Sequence, residues 1–410
     1  MHKHIFYYTI SRDELRQEQL SRLLSFEQAT ENVKLATDCE GLRVDFNSGA
    51  RVQVPQGNWH VRISDYDSGI VAFDDDAEDC TLVAAEKYFI RWQVEVWQDG
   101  EPVFEHVLDL AGQDVFIFMA GGALGDSISL FPYLRLMQQQ HRCRICLLPP
   151  NDSFRAMLKE YFPDIRLVEK IPDSSYAAYC LAVFQMAPYL IATDSRMITP
   201  DMAARSILGL NANAARVIYY PTSPREIKEK YVCIAVQASG VMKCWHRDGG
   251  WGRVVAYLKK LGYRVLCIDG AAQVSFDGKL IEKPAGAEDF TGMRPLMERI
   301  NLLAYADFFI GLGSGLSWLA QACDVPVILI SGFSLPLGEF DTPYRVTNQN
   351  VCHGCYNDIR VEWKDGCPYH AGTEREFECS RAISYQMVKM AIDNLLAARS
   401  VSEGDSVWNT

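Results

Sequence analysis

The sequence predicts an α/β protein in which two successive parallel-sheet domains face a cleft, preceded by a small antiparallel β domain and carrying a four-cysteine metal finger. Three observations predict this fold class. Short strands with period-two alternation recur between residues 41 and 110. Continuously apolar strands then alternate with helical stretches, and four cysteines cluster near the C-terminus. The predicted domains are residues 1–112, 113–225 and 226–410, with the insert at about 331–382.

The N-terminal region predicts antiparallel β structure with one solvated face. Residues 51–54 and 60–63 alternate apolar and polar side chains, and turn signals such as Asp99-Gly100 separate these segments. The acidic run Asp74-Asp75-Asp76 is predicted to be a solvated loop, with a cation site as the alternative. A helical lead-in over residues 1–40 is expected from the spacing of Leu15, Leu20, Leu23 and Leu24.

The rest of the chain predicts βα units. Residues 115–119 are continuously apolar, which is typical of a strand buried on both faces, and a helical stretch runs from Asp126 towards Gln140. A second series starts at residue 231, after a polar stretch with two prolines at 221–230 that predicts a hinge. Because parallel sheets bind ligands at the carboxyl ends of their strands, we expect the chemistry in the cleft between the two sheets.

Composition excludes several classes of protein. The formal charge of −12 argues against a nucleic-acid partner, because neutralising phosphates requires a basic surface. No apolar run reaches the ~20 residues needed to span a bilayer, and the start of the chain lacks the apolar segment of a signal peptide. We therefore expect a cytoplasmic protein, in which the thirteen cysteines are not paired as disulfides.

The first candidate site is the glycine-rich turn Gly121-Gly122-Ala123-Leu124-Gly125-Asp126, directly after a predicted strand. Such turns expose helix N–H groups to an anion. The pattern is neither a dinucleotide-binding fingerprint nor a P-loop. Asp126 has two interpretations: a helix N-cap, or a general base that acts on a hydroxyl held in the cleft.

Two further loops follow predicted strands of the last domain. The loop from Gln237 to Lys243 offers an ammonium group that balances diphosphate charge, with a solvated surface lysine as the alternative. The turn Gly313-Ser314-Gly315 opens a helix and is typical of phosphate binding, with close strand–helix packing as the alternative.

The four cysteines Cys352, Cys355, Cys367 and Cys379 are the strongest local pattern, with a C-x-x-C knuckle and eleven residues in each later gap. Four thiolates suit one tetrahedral metal, zinc or iron equally, and leave no open position for catalysis. The metal is therefore expected to fold an insert that has little core of its own. A disulfide pair is the alternative, and His353 and His370 are alternative ligands.

These motifs resemble a known family. Leu124-Gly125-Asp126, Lys243 and residues 314–317 resemble the ADP-heptose heptosyltransferases, which have the GT-B fold with two Rossmann-like domains. The β domain, the cysteine insert and the stretch 286–292 are more specifically similar to the bacterial autotransporter heptosyltransferases, which modify serines of secreted adhesins. The resemblance covers most of residues 41–395.

The resemblance implies a role for each site residue. Asp126 would deprotonate the acceptor serine in an inverting single displacement, and Lys243 would hold the diphosphate of ADP-glycero-manno-heptose. The residues implied to approach the sugar, diphosphate or nucleotide are Ala123, Leu124, Gly125, Gln237, Ser239, Thr291, Gly313, Ser314 and Gly315. The family also implies one iron ion on Cys352, Cys355, Cys367 and Cys379, and a large homo-oligomer, a dodecamer.

One departure from the broader family bears on the acceptor. The lipopolysaccharide enzymes carry Asp-Thr-Gly and a later His where this chain has Gly313-Ser314-Gly315 and Trp318, which disfavours a lipopolysaccharide acceptor. Three alternatives stay open at this point. They are a lipopolysaccharide-type heptosyltransferase, a nucleotide-binding oxidoreductase, and a non-enzymatic interaction protein built on the cysteine insert.

Overall fold

The computed structural model describes residues 3–6, 25–32, 35–182, 193–211, 215–276, 278–361 and 366–406. The chain divides into two compact units. The first comprises Met1–Gly122 and Leu130–Ala215, and the second comprises Ala123–Ser129 and Arg216–Thr410. The finer division at residues 112/113 and 225/226 stays a prediction.

The N-terminal part of the first unit contains two four-stranded sheets. Their strands are β1 (Lys3–Phe6), β2 (Arg43–Asp45), β3 (Arg51–Val54), β4 (Trp59–Asp65), β5 (Val71–Ala77), β6 (Cys80–Val83), β7 (Trp92–Gln98) and β8 (Glu101–Val107). One sheet has the order β1-β6-β3-β2, with β1 parallel to β6, and the other is antiparallel with the order β5-β4-β7-β8. Alternate residues of β4 and β7 are buried, as the period-two pattern predicts.

Two expectations for this region need comment. The acidic run Asp74-Asp75-Asp76 lies in strand β5 and not in a loop, because β5 pairs with β4 and places Asp74 and Asp76 2.8 and 2.9 Å from the ring nitrogens of His60. Residues 3–6 form a strand, not a helix, while residues 25–29 are helical. Leu15, Leu20, Leu23 and Leu24 lie outside the described residues.

The first α/β sheet follows in the same unit, except that the first turns of its first helix belong to the second unit. Its elements are β9 (Asp114–Met119), α1 (Leu124–His141), β10 (Arg144–Leu148), α2 (Arg155–Tyr161), β11 (Arg166–Leu167), β12 (Ser175–Leu181) and α3 (Pro200–Leu208). The sheet is parallel with the order β11-β10-β9-β12. Its strand β9 has neighbours on both sides, and Val115, Phe116 and Ile117 are fully buried, which explains the continuous apolar run.

The second unit contains the larger α/β sheet. Its elements are β13 (Tyr231–Ile234), α4 (Gly250–Lys260), β14 (Arg264–Cys267), β15 (Gln273–Phe276), β16 (Lys279–Glu282), β17 (Glu288–Asp289), α5 (Leu296–Ala304), β18 (Phe309–Leu312), α6 (Gly315–Ala322), β19 (Val327–Ile330), β20 (Arg345–Val346), α7 (Glu378–Arg381) and α8 (Tyr385–Ser406). Six strands form a parallel sheet with the order β17-β14-β13-β18-β19-β20, and β15 and β16 form a separate hairpin.

The carboxyl ends of these parallel strands lie at one edge of the second sheet. The loops that leave this edge begin after Ile234, Cys267, Asp289, Leu312 and Ile330. They include every candidate site residue predicted for the last domain except the four cysteines and Gly315, which begins helix α6. The two parallel sheets and the mainly antiparallel β region confirm the predicted α/β class with a preceding β domain, whereas the four-cysteine metal finger stays a prediction. Within the described part of the chain, no helix combines the length and apolar character needed to cross a membrane.

Candidate functional site

Asp126 lies inside the first turn of helix α1. The N–H of Ser127 donates to the carbonyl of Ala123 at 3.1 Å, which makes Ala123 the N-cap and Asp126 the third helical residue. The interpretation of Asp126 as the cap is therefore wrong. The residue is half-buried and lies near the positive end of the helix dipole.

The turn before Asp126 contacts the glycine turn of helix α6, and both belong to the second unit. A Cβ atom on Gly315 would lie 2.6 Å from Cβ of Leu124, and a Cβ on Gly125 would lie 2.8 Å from Cδ1 of Trp318. Only glycine permits so close an approach of two backbones. Trp318 also packs edge-on against Phe340, with ring centroids 5.0 Å apart. The structure thus brings together two motifs that lie almost two hundred residues apart in the sequence.

Lys243 ends a single 3₁₀ turn, Val241–Lys243, and its side chain is half-buried. The loop that leads to it starts with Gln237, whose side-chain amide donates to the carbonyl of Ala271 at 2.8 Å. Ser239 is exposed at the tip of this loop. The loop therefore holds Gln237 through its side chain and presents Ser239 to solvent.

A carboxylate that the sequence analysis missed organises the start of this loop. Asp269 is 1% exposed and accepts hydrogen bonds from the backbone N–H groups of Val236 at 2.9 Å and Gln237 at 3.0 Å. Burial raises the pKa of Asp269, and the two N–H groups act in the opposite direction. An acid directly after a buried strand was the available sequence signal.

A second missed carboxylate, Glu339, lies beneath the other glycine turn. It is buried, pairs with the guanidinium of Arg345 and accepts a hydrogen bond from Ser331 at 3.2 Å. A Cβ on Gly313 would lie 2.0 Å from Oε1 of Glu339. Burial raises the pKa of Glu339, while the charges of Arg345 and Lys243 lower it. Glu339 thus connects the glycine turn electrostatically to the lysine turn.

The remaining predicted contacts occupy neighbouring loops. Ser314 is the N-cap residue of helix α6, but its hydroxyl makes no capping hydrogen bond. Thr291 follows strand β17 and donates its hydroxyl to the carboxylate of Asp289 at 2.6 Å. This hydrogen bond lowers the pKa of Asp289. The Thr291 side chain is therefore bonded to the end of strand β17, which lies three strands away from β18, the strand that precedes Ser314.

The four predicted metal-ligating cysteines share one region of the second unit. The thiols of Cys352 and Cys355 are hydrogen bonded, and Cys355 interacts electrostatically with Cys352, Cys367 and Cys379. Burial is the main reason that the pKa values of Cys355 and Cys379 rise to about 12, and the neighbouring thiols add to it. A donor set of four neighbouring thiols suits a thiophilic metal.

A tighter group of possible ligands overlaps this set. Sγ of Cys352, a ring nitrogen of His370 and a carboxylate oxygen of Glu378 lie within 4.8 Å of one another. Within the described residues, no three of the four cysteine sulfurs lie that close together. Glu378 also pairs with Arg375, which lowers its pKa. The four-thiolate ligand set therefore stays a prediction.

Two family descriptions match parts of the sequence. Residues 39–100 match the N-terminal domain of glycosyltransferase TibC. Residues 202–363 match glycosyltransferase family 9, the heptosyltransferases. Together these matches include strands β2 to β7 of the β region, the Lys243 turn, the Gly313–Gly315 turn and the first two cysteines of the insert.

Individual proteins match over nearly the whole chain. Autotransporter heptosyltransferase BAHTCr of Citrobacter rodentium is 41% identical over 383 residues, which is 90% of this chain and 93% of that protein. The crystal structure of TibC from enterotoxigenic E. coli H10407, described as iron-containing and dodecameric, has a TM-score of 0.84 at 38% identity and covers 89% of this chain and 98% of its own. A second TibC structure contains ADP-D-β-D-heptose. A Burkholderia thailandensis relative, named inactive autotransporter heptosyltransferase BimC, is 35% identical over 370 residues, which is 87% of this chain and 86% of that protein.

Proposed function

The chain belongs to the autotransporter heptosyltransferases and is a glycosyltransferase, and we propose that it transfers heptose from ADP-glycero-manno-heptose to serine hydroxyls of an autotransporter adhesin. The observation that carries the proposal is the contact of Leu124 and Gly125 with Gly315. This contact joins the start of helix α1, which bears a carboxylate, to the loops at the carboxyl edge of the second sheet. That edge is where parallel sheets bind ligands.

On the acceptor side, Asp126 is the proposed general base. A serine hydroxyl is a weak nucleophile until a positioned base takes its proton. The carboxylate of Asp126 accepts that proton as the serine oxygen forms a bond to the anomeric carbon. In the same displacement the bond between this carbon and the diphosphate oxygen breaks, and ADP leaves with the electron pair. Ala123, Leu124 and Gly125 approach the sugar from the same turn.

On the donor side, Lys243 is proposed to neutralise the charge that grows on the diphosphate as ADP departs. The N-terminus of helix α6 supports this role, because its first N–H groups point out of the turn Gly313-Ser314-Gly315. The Ser314 hydroxyl makes no capping bond and is suited to donate to the ligand. Gln237, Ser239 and Thr291 are proposed as further contacts to the nucleotide-sugar.

The insert is proposed to bind one iron ion through Cys352, Cys355, Cys367 and Cys379, with zinc as the alternative metal. Four neighbouring thiols support this donor set, and TibC is described as iron-containing. When bound, the ion supplies a structural cross-link and no chemistry in the transfer, because four thiolates fill a tetrahedral site. His370 and Glu378 lie beside Cys352 and are the alternative ligands.

The proposed working state is a large homo-oligomer, a dodecamer by likeness to TibC, located in the cytoplasm. None of the thirteen cysteines forms a disulfide, as is usual for a protein of a reducing compartment. The acidic net charge of −12 gives no support for a nucleic-acid partner.

Mass spectrometry of the acceptor tests the reaction and the base. The purified chain is incubated with ADP-heptose and an adhesin passenger domain, and modified serines are detected by a mass step of one heptose. We expect modification by the unaltered chain, and loss of at least a hundredfold in rate for Asp126→Asn, in line with the usual contribution of a general base. Binding of ADP, measured by calorimetry, should be kept in this variant.

Asp164→Asn is the matched control, because Asp164 is an exposed aspartate on the first unit. It should transfer heptose at the rate of the unaltered chain. Transfer by Asp126→Asn at a similar rate would contradict the assignment of the base. No transfer by the unaltered chain would contradict the proposed function. Because one relative is named inactive, the transfer activity of the unaltered chain is measured first.

A further inference from the structure

We propose that Ser380 is a positioning residue through which the cysteine insert holds the Lys243 turn, so that the metal finger and the diphosphate-binding lysine form one mechanical unit. The inference rests on the proposed function of Lys243 and extends it to a residue outside the donor loops. Ser380 directly follows Cys379, the last of the four predicted ligands, in helix α7. All residues in the argument belong to the second unit.

The Ser380 side chain is hydrogen bonded to the backbone of the segment that follows Lys243. Its hydroxyl donates to the carbonyl of Cys244 at 2.6 Å and accepts from the N–H of His246 at 2.7 Å. Ser380 is 4% exposed, so water cannot replace these bonds. One hydroxyl thus satisfies two backbone groups within three residues of Lys243.

An apolar cluster provides a second link between the insert and the turn. Its buried members are Val241, Met242, Phe333, Cys355 and Phe377. Two of them lie in the 3₁₀ turn itself, and Cys355 is one of the predicted ligands.

The ring of His246 provides a third link between the insert and the Lys243 turn. It stacks on the ring of Phe377 with centroids 4.5 Å apart, and its Nε2 lies 2.7 Å from the carbonyl of Val241. The next residue inward, Trp245, donates its indole N–H to the carbonyl of Ile383 at 3.0 Å. The segment from 241 to 246 is therefore attached to the insert before Lys243, through Val241 and Met242, and after it, through Cys244 and His246.

These contacts matter because the turn has little stability of its own. A single 3₁₀ turn has few internal hydrogen bonds, and the lysine side chain is long and flexible. The position of its ammonium group is therefore determined by where the backbone is held. Without the Ser380 hydroxyl, a buried N–H and a buried C=O lose their partner, which displaces the turn or admits water.

The test measures ADP binding and metal content on the intact chain. Calorimetric affinity for ADP and metal per chain are determined for the unaltered protein, Ser380→Ala, Lys243→Ala and the double variant. We expect Ser380→Ala to keep its metal and to bind ADP about five- to thirtyfold more weakly, the effect of one lost buried hydrogen-bond pair. Because Ser380 acts through Lys243, the double variant should bind ADP no more weakly than Lys243→Ala alone.

Thr373→Ala is the matched control. The Thr373 hydroxyl bonds only within the insert, to the carbonyl of His370 at 2.9 Å and from the N–H of Arg375 at 3.2 Å. This variant should bind ADP as the unaltered protein does. His246→Gln serves as a second variant in case Ser380→Ala does not fold. It keeps the backbone N–H, loses the stack on Phe377, and should weaken ADP binding with the metal retained.

The outcomes separate this inference from the proposed function. Wild-type ADP affinity in a folded Ser380→Ala, or additive losses in the double variant, would overturn the positioning role while leaving Lys243 in place. If Ser380→Ala does not fold, wild-type affinity in His246→Gln overturns it. If the unaltered chain does not bind ADP, or Lys243→Ala binds as tightly, the proposed donor site and the inference both fail.

Discussion

Three carboxylates of the second unit show how differently one chemical group is used. Asp126 lies half-buried in the first turn of a helix. Asp269 and Glu339 are buried and bonded to loops of the second sheet. The sequence indicated Asp126 because it ends a glycine-rich turn. It marked Asp269 only as an acid that follows a buried strand, since the role of this residue depends on N–H groups of the loop after strand β13. Glu339 lies in the irregular insert, where no motif marks it.

Gly313 has no room for a larger side chain, and this gives a prediction. An alanine Cβ there would lie 2.0 Å from Oε1 of Glu339, a side chain that is buried and fixed by Arg345. Because Glu339 cannot move without breaking that pair, we expect Gly313→Ala to destabilise the protein by about 1–3 kcal/mol. ADP affinity should fall at least tenfold. Chemical denaturation and calorimetry measure the two effects.

Gly252→Ala is the control for this substitution. Gly252 lies in helix α4, and a Cβ there would meet no atom within 4 Å. Alanine favours the helix, so this variant should be more stable by up to about 1 kcal/mol and should bind ADP normally. A Gly313→Ala protein with unchanged stability and affinity would show that Glu339 does not restrain the glycine turn.

At the scale of elements, strong periodic patterns were predicted well. The apolar run at 115–119 is strand β9, and the helix expected from 126 to 140 is α1. Strand β12 (Ser175–Leu181) carries a weaker signal, because Ala177 and Ala178 interrupt its strand-forming residues. Strand β20 has two residues, too few to form a pattern, and exists only because β19 supplies its partner.

The hydrogen bonds between the β region and the first α/β sheet are another property that local patterns do not reveal. Phe46, in the β region, exchanges backbone hydrogen bonds with strand β12: its N–H donates to Tyr176 at 3.0 Å, and its carbonyl accepts from Ala178 at 3.2 Å. The amide of Asn47 donates to the carbonyl of Ser175 at 2.9 Å and accepts from its hydroxyl at 2.7 Å. The β region and the first α/β sheet are thus bonded within one unit.

This link predicts the effect of removing the Asn47 side chain. Asn47 and Ser175 are fully buried, so Asn47→Ala leaves the Ser175 carbonyl without its amide donor and reduces the Ser175 hydroxyl to its 3.3 Å bond with the carbonyl of Ala177. We expect a loss of about 1–3 kcal/mol in unfolding free energy, with ADP affinity unchanged because the change lies in the first unit. The exposed Asn58 provides the control, and Asn58→Ala should be neutral. Equal stability of the two variants would mean that this link does not stabilise the unit.

At the scale of the whole molecule, the second unit combines a well-packed sheet with an insert of little regular structure. Between strand β19 and helix α8 the described residues form only the two-residue strand β20, short 3₁₀ turns and the four-residue helix α7. Such a segment buries too little apolar surface to be stable alone. The cysteine spacing predicts a metal-binding insert here, but spacing cannot decide between four thiolates and the group Cys352, His370 and Glu378.

The last prediction decides between these ligand sets by measuring metal per chain and melting temperature together. If four thiolates bind the ion, Cys367→Ser loses most of the metal and melts at lower temperature, since the binding energy of a structural metal is part of the folding energy. In that case His370→Ala keeps its metal. Cys39→Ser, a half-buried cysteine of the first unit, is the control and should keep both properties. Loss of metal from His370→Ala together with full retention in Cys367→Ser would contradict the four-thiolate site and assign the ion to the histidine-containing group.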